Sequence, residues 1–572
     1  MKYSIKKIYN ILIIFGILLS SLGVFAKEIN IQYTHKNISN YFSGIISANQ
    51  NYNNKALKYL KKVKPLKSIH SNFNIEFLRT LVLLEKFDEA FAFSKTLKNE
   101  NEIFFDVDLL LGLNYFLEKD YEKAEKHFGN LNAISIHNQY FSDFIGNVLI
   151  AWSKASQGNE KESSNYLEKI PKPYQHLKKI QNIFLQCYFD NFQTQKALEE
   201  LIDDESYNFS RYNFFLVNYL LVNNKVTEAK NLMKKTKVKH SPNILIKQTK
   251  AFLLNNDNKK IKIIFDCKNP KDTLAEFFYV IGNLYASQEN YKLSNFYMKI
   301  SLFLNNKFKA NNALLAENYL NQKKNDLSID TYQSLKSIGS EYSWYASKQI
   351  SRILINLKGK KSSIDSLKKE FNSIKNKNYE HYYELANFYK DNEYFEESIK
   401  YYTLALDEIE QDHFLVPKIL DRRGTSFERI NDWESGEKDL IKSLEILPDQ
   451  ARVINYLAYT WVDKGTNVEK GLEMLKRAVK LSKNDGYIID SLGWAHFMKK
   501  NYDEAEFYLQ RAVELLPSDP IINDHYADAL WMLNKNLQAR YIWSYIANLD
   551  HAEQKLKDTI KKKLIFGINK EL

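Results

Sequence analysis

The chain has 572 residues, with 81 Lys and Arg against 69 Asp and Glu for a net charge of +12, and it contains 9 prolines, 17 glycines and 2 cysteines. No Pro-, Gly- or Ser-rich tether interrupts it, which excludes a string of globular domains on flexible linkers. Its basic residues are scattered among acids, as at Lys61-Lys62, Lys234-Lys235 and Lys259-Lys260, so solvated helix faces are expected and a nucleic-acid-binding stripe is not.

Residues 1–26 differ from the rest. Lys2, Lys6 and Lys7 precede an apolar run from Ile11 to Leu19, and Val24 and Ala26 are the small residues ahead of Lys27. That is the layout of a secretory signal peptide cleaved after Ala26. An uncleaved anchor is the alternative, because Ile8 to Phe25 approaches the length of a membrane span, although Asn10, Ser20 and Ser21 interrupt it. No cysteine follows the cleavage point closely enough for a lipoprotein linkage.

Over residues 27–270 small residues recur at a helix-pair rhythm without strict spacing. Gly44 with Ala56 opens the series, and Lys86-Phe-Asp-Glu-Ala90 marks a turn into a second helix. Gly112, Tyr115, Ala124 and Phe128 form a clearer unit, followed by Ala151 with Ser163 and Leu167, Ala197 with Leu201, and Ala229 with Met233. Over 271–372 the rhythm tightens: Gly282, Tyr285, Ser294 and Met298 return as Ala316, Tyr319, Ser328 and Tyr332, and Ser351, Ser363 and Leu367 make a degenerate unit. Polar interruptions at Lys358-Gly-Lys-Lys361 and between Asn255 and Asp272 are candidate subdomain boundaries.

Residues 373–550 are the best defined. Ala386 with Ser398, Gly424 with Gly436, Ala458 with Gly471, Gly493 with Ala505 and Ala527 with Ala539 each pair two small residues, and Gly424 to Ala458 and Gly493 to Ala527 are steps of 34. Small side chains are needed where two helices of a pair cross closely. Leu509 and Ala512 continue the apolar face of the second helix, and Pro517 ends the unit because proline cannot continue a helix interior. Beyond Asp550, Leu556, Ile560, Leu564 and Phe566 lie among lysines, as in an amphipathic helix capping the exposed end of a stack over 551–572.

The two cysteines, Cys187 and Cys267, are 80 residues apart, about two units. Regular stacking would hold their Cα atoms beyond the roughly 7 Å that a bridge allows, so two buried free thiols are expected. No His-Glu-x-x-His, Gly-x-x-x-x-Gly-Lys or Gly-x-Ser-x-Gly pattern occurs. Asp503-Glu504 sits at a helix start, where solvated carboxylates are common. A chain without catalytic residues, cofactor or metal site is therefore expected.

The 34-residue step, with its small crossing residues and closing proline, resembles the tetratricopeptide repeat. The resemblance implies an all-α superhelix, an α-solenoid of antiparallel helix pairs with a concave binding surface. In that geometry Asn455 and Tyr459, then Tyr487, Asp490 and Trp494, then Asp524, Asp528 and Trp531 point into the groove. Rings interleaved with amides and carboxylates suit an extended peptide; the same tryptophans also suit packing between helices. The stretch Asp485-Gly-Tyr-Ile-Ile-Asp-Ser-Leu-Gly-Trp494, between Asn455-Tyr-Leu-Ala-Tyr459 and Asp519-Pro-Ile-Ile-Asn-Asp524, resembles the C-terminal repeats of exported tetratricopeptide proteins of Gram-negative bacteria, alphaproteobacteria above all. What this implies is a periplasmic, non-enzymatic scaffold or adaptor that binds protein segments in envelope or outer-membrane assembly. The alternative is a regulatory subunit of an envelope enzyme such as a peptidoglycan hydrolase or synthase. Weak attraction to anionic membrane surfaces is compatible with the charge.

Overall fold

The computed structural model describes residues 33–68, 70–97, 105–134, 142–235 and 243–568. The signal-peptide reading of residues 1–26 lies outside them. Among the described residues the chain is built of α-helices with short 3-10 turns and no strand, in antiparallel pairs along most of its length. It divides into two compact units, one ending at Gly359 and one starting at Lys360, within the polar stretch at Lys358-Gly-Lys-Lys361.

One backbone feature recurs in nearly every pair. The first helix ends on a residue with positive φ: Asn51, Glu85, Lys119, Gly158, Asp190, Asn224, Asn256, Glu289, Lys323, Gly359, Glu393, Asn431, Gly465, Lys500 and Asn534. Asn51, Glu85 and Lys119 fall 34 residues apart, as do Glu289 and Lys323, and Lys500 and Asn534. A left-handed residue lets the chain reverse while meeting the last carbonyls of the helix. After Gly486–Met498, Lys500 N–H donates to Phe497 O at 2.8 Å and Asn501 N–H to His496 O at 2.9 Å. The same two bonds close the turn at Asn534 and Lys535. The turn therefore extends the 34-residue register into the N-terminal half, where the small residues mark it poorly.

Beyond the turn, small residues set the approach of the two helices. A Cβ on Gly436 would stand 2.8 Å from the carbonyl oxygen of Gly424, and one on Gly493 would stand 2.6 Å from Leu509 Cγ. Side-chain caps start several helices: Asn378, Asp432 and Asp485 each accept a backbone N–H, and Asp519 accepts from Ile521 and Ile522. Pro520 fills the first turn of its helix, where no N–H is needed.

In the first unit the contacts are not confined to neighbouring pairs, contrary to the expectation for a regular solenoid. The Ser71–Leu83 helix packs on Tyr291–Leu304, and Ser142–Ser156 on Pro270–Ser287. Lys292 Nζ binds both oxygens of Glu76 at 2.7 and 2.8 Å, and the Phe87 and Phe303 rings stack at 3.9 Å. Side-chain pattern supplies the cause. Tyr212–Val222 and Phe105–Leu117 are apolar on nearly all faces and buried along most of their length. A helix of that kind needs cover from more than one side. At the centre, Arg211 makes a two-pronged pair with fully buried Glu276 at 2.8 and 2.7 Å, reaches Asn311 at 2.8 Å and lies over the Tyr279 ring.

The same departure from regular stacking overturns the expectation of free thiols. Cys187 and Cys267 form a disulfide with their Cα atoms 5.9 Å apart. The short Asn258–Lys262 helix packs on Tyr212–Val222, and the loop after it folds back onto Gln175–Tyr188, with Phe265 against Phe184 and Phe215, and Lys268 Nζ donates to Tyr188 O at 2.8 Å. Non-reducing peptide mapping of the purified chain should recover Cys187 and Cys267 in one linked peptide. Cys187→Ser should destabilise the first unit by about 2–4 kcal/mol, because the bridge closes a long loop. Two thiols that alkylate without reductant would contradict the bridge.

Candidate functional site

The second unit carries the residues that the sequence assigns to a groove. Its first helices lie side by side: Ala451–Asp463 against Gly486–Met498, and Gly486–Met498 against Pro520–Met532. Side chains at matching positions of successive first helices therefore meet, and the sequence-assigned residues fall into three settings.

Tyr487 is open, with 58% of its surface exposed, in the first turn of a helix capped by Asp485. Asn455, Tyr459 and Trp494 are half-buried. The Asn455 Oδ1 and Trp494 Nε1 atoms have no hydrogen-bond partner among the described residues. Trp494 is held flat between Phe497 and His525, with ring centroids at 4.7 and 4.1 Å. Burial pushes the Tyr459 hydroxyl well above its ordinary pKa, and Asp463 and Asp490 add to the shift.

Asp490, Asp524 and Asp528 are buried, and each is satisfied from within the chain. Asp490 takes His525 Nδ1 at 3.0 Å. Asp524 accepts from Trp543 Nε1 at 3.1 Å and from Lys563 Nζ at 2.8 Å, and Asp528 accepts from the same ammonium at 2.7 Å. Trp531 packs against Trp543 and lies directly beneath Gly567. Asp524, Asp528 and Trp531 thus face the chain's own last helix, Gln554–Phe566, rather than an open groove. Ile560 is its buried anchor, and Lys563 supplies the cation to the acidic pair Asp524 and Asp528.

The electrostatics follow from burial. Desolvation pulls His525 down, but Asp490 at its ring nitrogen, with Asp524 and Asp528 beyond, outweighs it and raises the pKa. Desolvation likewise opposes the charge on Lys563, and the two aspartates more than compensate. Asp528 is pushed up to about 7 by burial and by Asp524, against the pull of Lys563 and His525. Towards the other end of the face, burial raises Asp421 against the pull of Lys390, Arg422 and Lys418. His525 and Lys563 were not singled out from sequence, and Trp543 stood only as a repeat position. His525 directly follows an assigned aspartate, whereas Lys563 lies beyond the repeating register and carries no signal of its role. Among the described residues no group of three His, Cys, Asp or Glu is placed to hold a metal ion.

A stack of paired helices with a left-handed turn and small crossing residues defines a helical-repeat scaffold. Family models described as Tetratricopeptide repeat match residues 379–412 and 488–519. The chain carries tetratricopeptide repeats, a fold that serves as a scaffold for protein–protein contacts. A curated relative, TPR repeat-containing protein PA4667 of Pseudomonas aeruginosa, is 33% identical over 103 residues, which cover 18% of this chain and 18% of that protein. Among solved structures, yeast Tom70 is similar over 79% of this chain and 93% of its own at 14% identity and a TM-score of 0.34. The Cut9 and Hcn1 hetero-tetramer of the APC/C gives 87% and 97% coverage, 12% identity and a TM-score of 0.33. MamA of Desulfovibrio magneticus RS-1 gives 31% and 97%, 15% identity and a TM-score of 0.28.

A carboxyl raised in the folded state holds its proton more tightly there than in the unfolded chain. The contribution of Asp528 to stability is therefore complete below about pH 4 and is lost as pH rises through about 7. Asp528→Asn, which keeps one acceptor for Lys563, should flatten that decline in melting curves recorded from about pH 4 to about pH 8. An unchanged slope would show that the Asp524, Asp528 and Lys563 cluster does not control the end of the stack.

Proposed function

We propose that this chain is an exported, non-enzymatic scaffold that holds segments of other proteins against the first-helix face of the second unit, in the periplasm and in the service of envelope or outer-membrane assembly. The observation that carries the reading is the run of Asn455, Tyr459, Tyr487 and Trp494 on two adjacent first helices, Ala451–Asp463 and Gly486–Met498. Tyr487 is open there, and the rings of Tyr459 and Trp494 are half-buried on the same face. Aromatic side chains cover a partner's apolar groups at small entropic cost, and amides bond its backbone.

Two further features support export. The layout of residues 1–26 is that of a signal peptide. The Cys187–Cys267 bridge is of a kind that persists in oxidising compartments and is rare in reducing ones.

A photo-crosslinking residue at position 487 in the native cell should capture discrete protein partners, and the recovered chain should begin at Lys27. Tyr487→Ala combined with Asn455→Ala should weaken capture about tenfold or more, with helicity and melting unchanged. Capture only from outward positions such as Leu537 would refute the assigned face. A precursor that retains residues 1–26 in the cytosolic fraction would refute export.

A further inference from the structure

The last helix, Gln554–Phe566, has two faces of different character. The inner face closes the stack. Ile560 is fully buried, Leu556 and Leu564 pack beside it, and Lys563 is bonded to Asp524 and Asp528. The outer face carries, at the spacing of successive turns, Lys555, Asp558, Lys562, Ile565 and Phe566, all of them exposed. Ile565 is 68% and Phe566 80% exposed. Closing the stack uses neither, so the cap itself does not account for two large apolar side chains at its tip.

Cations surround that tip. Lys562 lies one turn ahead of Phe566 and Lys555 two turns further back, and neither ammonium has an ion-pair partner among the described residues. Lys561 is loosely held, 3.6 Å from Asp558. A further cation comes from the neighbouring Asn536–Ala547 helix. Arg540 is exposed, has no ion-pair partner among the described residues and lies over the Trp531 ring at 5.4 Å, the same ring against which Gly567 packs. The acids of this last stretch are Glu553, at the far end of the helix, and Asp558, which also accepts from the Gln554 amide at 2.9 Å. Apolar side chains flanked by cations suit a surface that has hydrocarbon beneath a layer of negative charge. A second copy of the same face would set like charges against each other. With 13 residues the helix is short of a membrane span, so it would lie along such a surface and not through it.

We propose that the outer face of the last helix docks on an anionic phospholipid surface. Ile565 and Phe566 enter the boundary between headgroups and acyl chains, and Lys555, Lys562 and Arg540 draw the headgroup phosphates. The proposal rests on neither the peptide-binding face nor its partners.

The test is co-sedimentation of the purified full chain with phosphatidylcholine vesicles containing about 30% phosphatidylglycerol, at an ionic strength of about 0.1 M. The parent is expected to bind. Ile565→Ser with Phe566→Ser, and separately Lys555→Gln with Lys562→Gln, should each weaken binding by about tenfold or more while melting as the parent does. The two pairs act through different forces, so a variant that fails to fold leaves the other to decide. Comparison with the parent also removes any contribution from residues 1–26. Phe566→Trp supplies a readout at the residue itself, since its added fluorescence should be quenched by lipids brominated on the acyl chain. Absence of binding, undiminished binding by either folded double variant, or no added quenching at position 566 would each overturn the proposal. So would a dimer that forms without vesicles and is lost on changing Ile565 and Phe566, which would give the face to a second copy.

Discussion

Everything in this architecture depends on reversing the chain after each first helix in a space small enough for the second helix to lie against it. The reversal is made by a single left-handed residue, and the closeness by the small residues that face each other across the pair. Without the turn, the last carbonyls of the first helix would lack partners. Without the small residues the helices would be held apart, as the 2.8 Å clearance between a Cβ on Gly436 and the Gly424 carbonyl shows. Most residues given the left-handed role are Asn, Lys, Glu or Asp rather than glycine. The chain therefore accepts a modest conformational cost at nearly every turn, and packing of the pairs overcomes it.

The two units use this same element to different ends. In the second, consecutive first helices abut, and the polar residues between them are satisfied in sequence: Asp490 by His525, then Asp524 and Asp528 by Lys563. The last of these cations comes from a helix outside the repeats, so the end of the stack is closed electrostatically as well as by Ile560. In the first unit, helices apolar all round cannot be covered by neighbours alone, and the chain wraps until residues 76 to 91 meet residues 292 to 303. The disulfide follows from a second fold-back, of the loop around Phe265 onto Gln175–Tyr188.

The repeat register was legible from small residues at Gly424, Gly436, Gly493 and Ala505, because close crossings tolerate few alternatives. Before residue 270 small residues persist at crossings such as Gly44, Gly112, Ala124 and Ala151 but recur unevenly, and the steadier signal lay in the turns, at positions such as Asn51, Glu85 and Lys119, whose polar side chains look like ordinary surface. The disulfide was misread because the distance argument assumed regular stacking. The all-round apolar sequence Tyr212-Asn-Phe-Phe-Leu-Val-Asn-Tyr-Leu-Leu-Val222 already spoke against that assumption. At the site, helical geometry put Asn455 and Tyr459 on one first helix and Tyr487 and Trp494 on the next, with Tyr487 exposed and the other three half-buried. It did not reveal that Asp524, Asp528 and Trp531 would be claimed by the chain's own last helix, since Lys563 lies outside any repeating position.

The most direct test of this account acts on the turn itself. Lys500 has φ of +61° and an exposed side chain. A left-handed conformation costs an ordinary residue roughly 1–2 kcal/mol, and glycine escapes that at an entropic penalty of about 0.5–1 kcal/mol. Lys500→Gly should therefore raise the stability of the chain by about 0.5 kcal/mol in denaturant melts, and Lys500→Val should lower it by more than that. If the glycine variant is instead destabilised, as it would be within a helix, the left-handed turn is not the element that closes each pair.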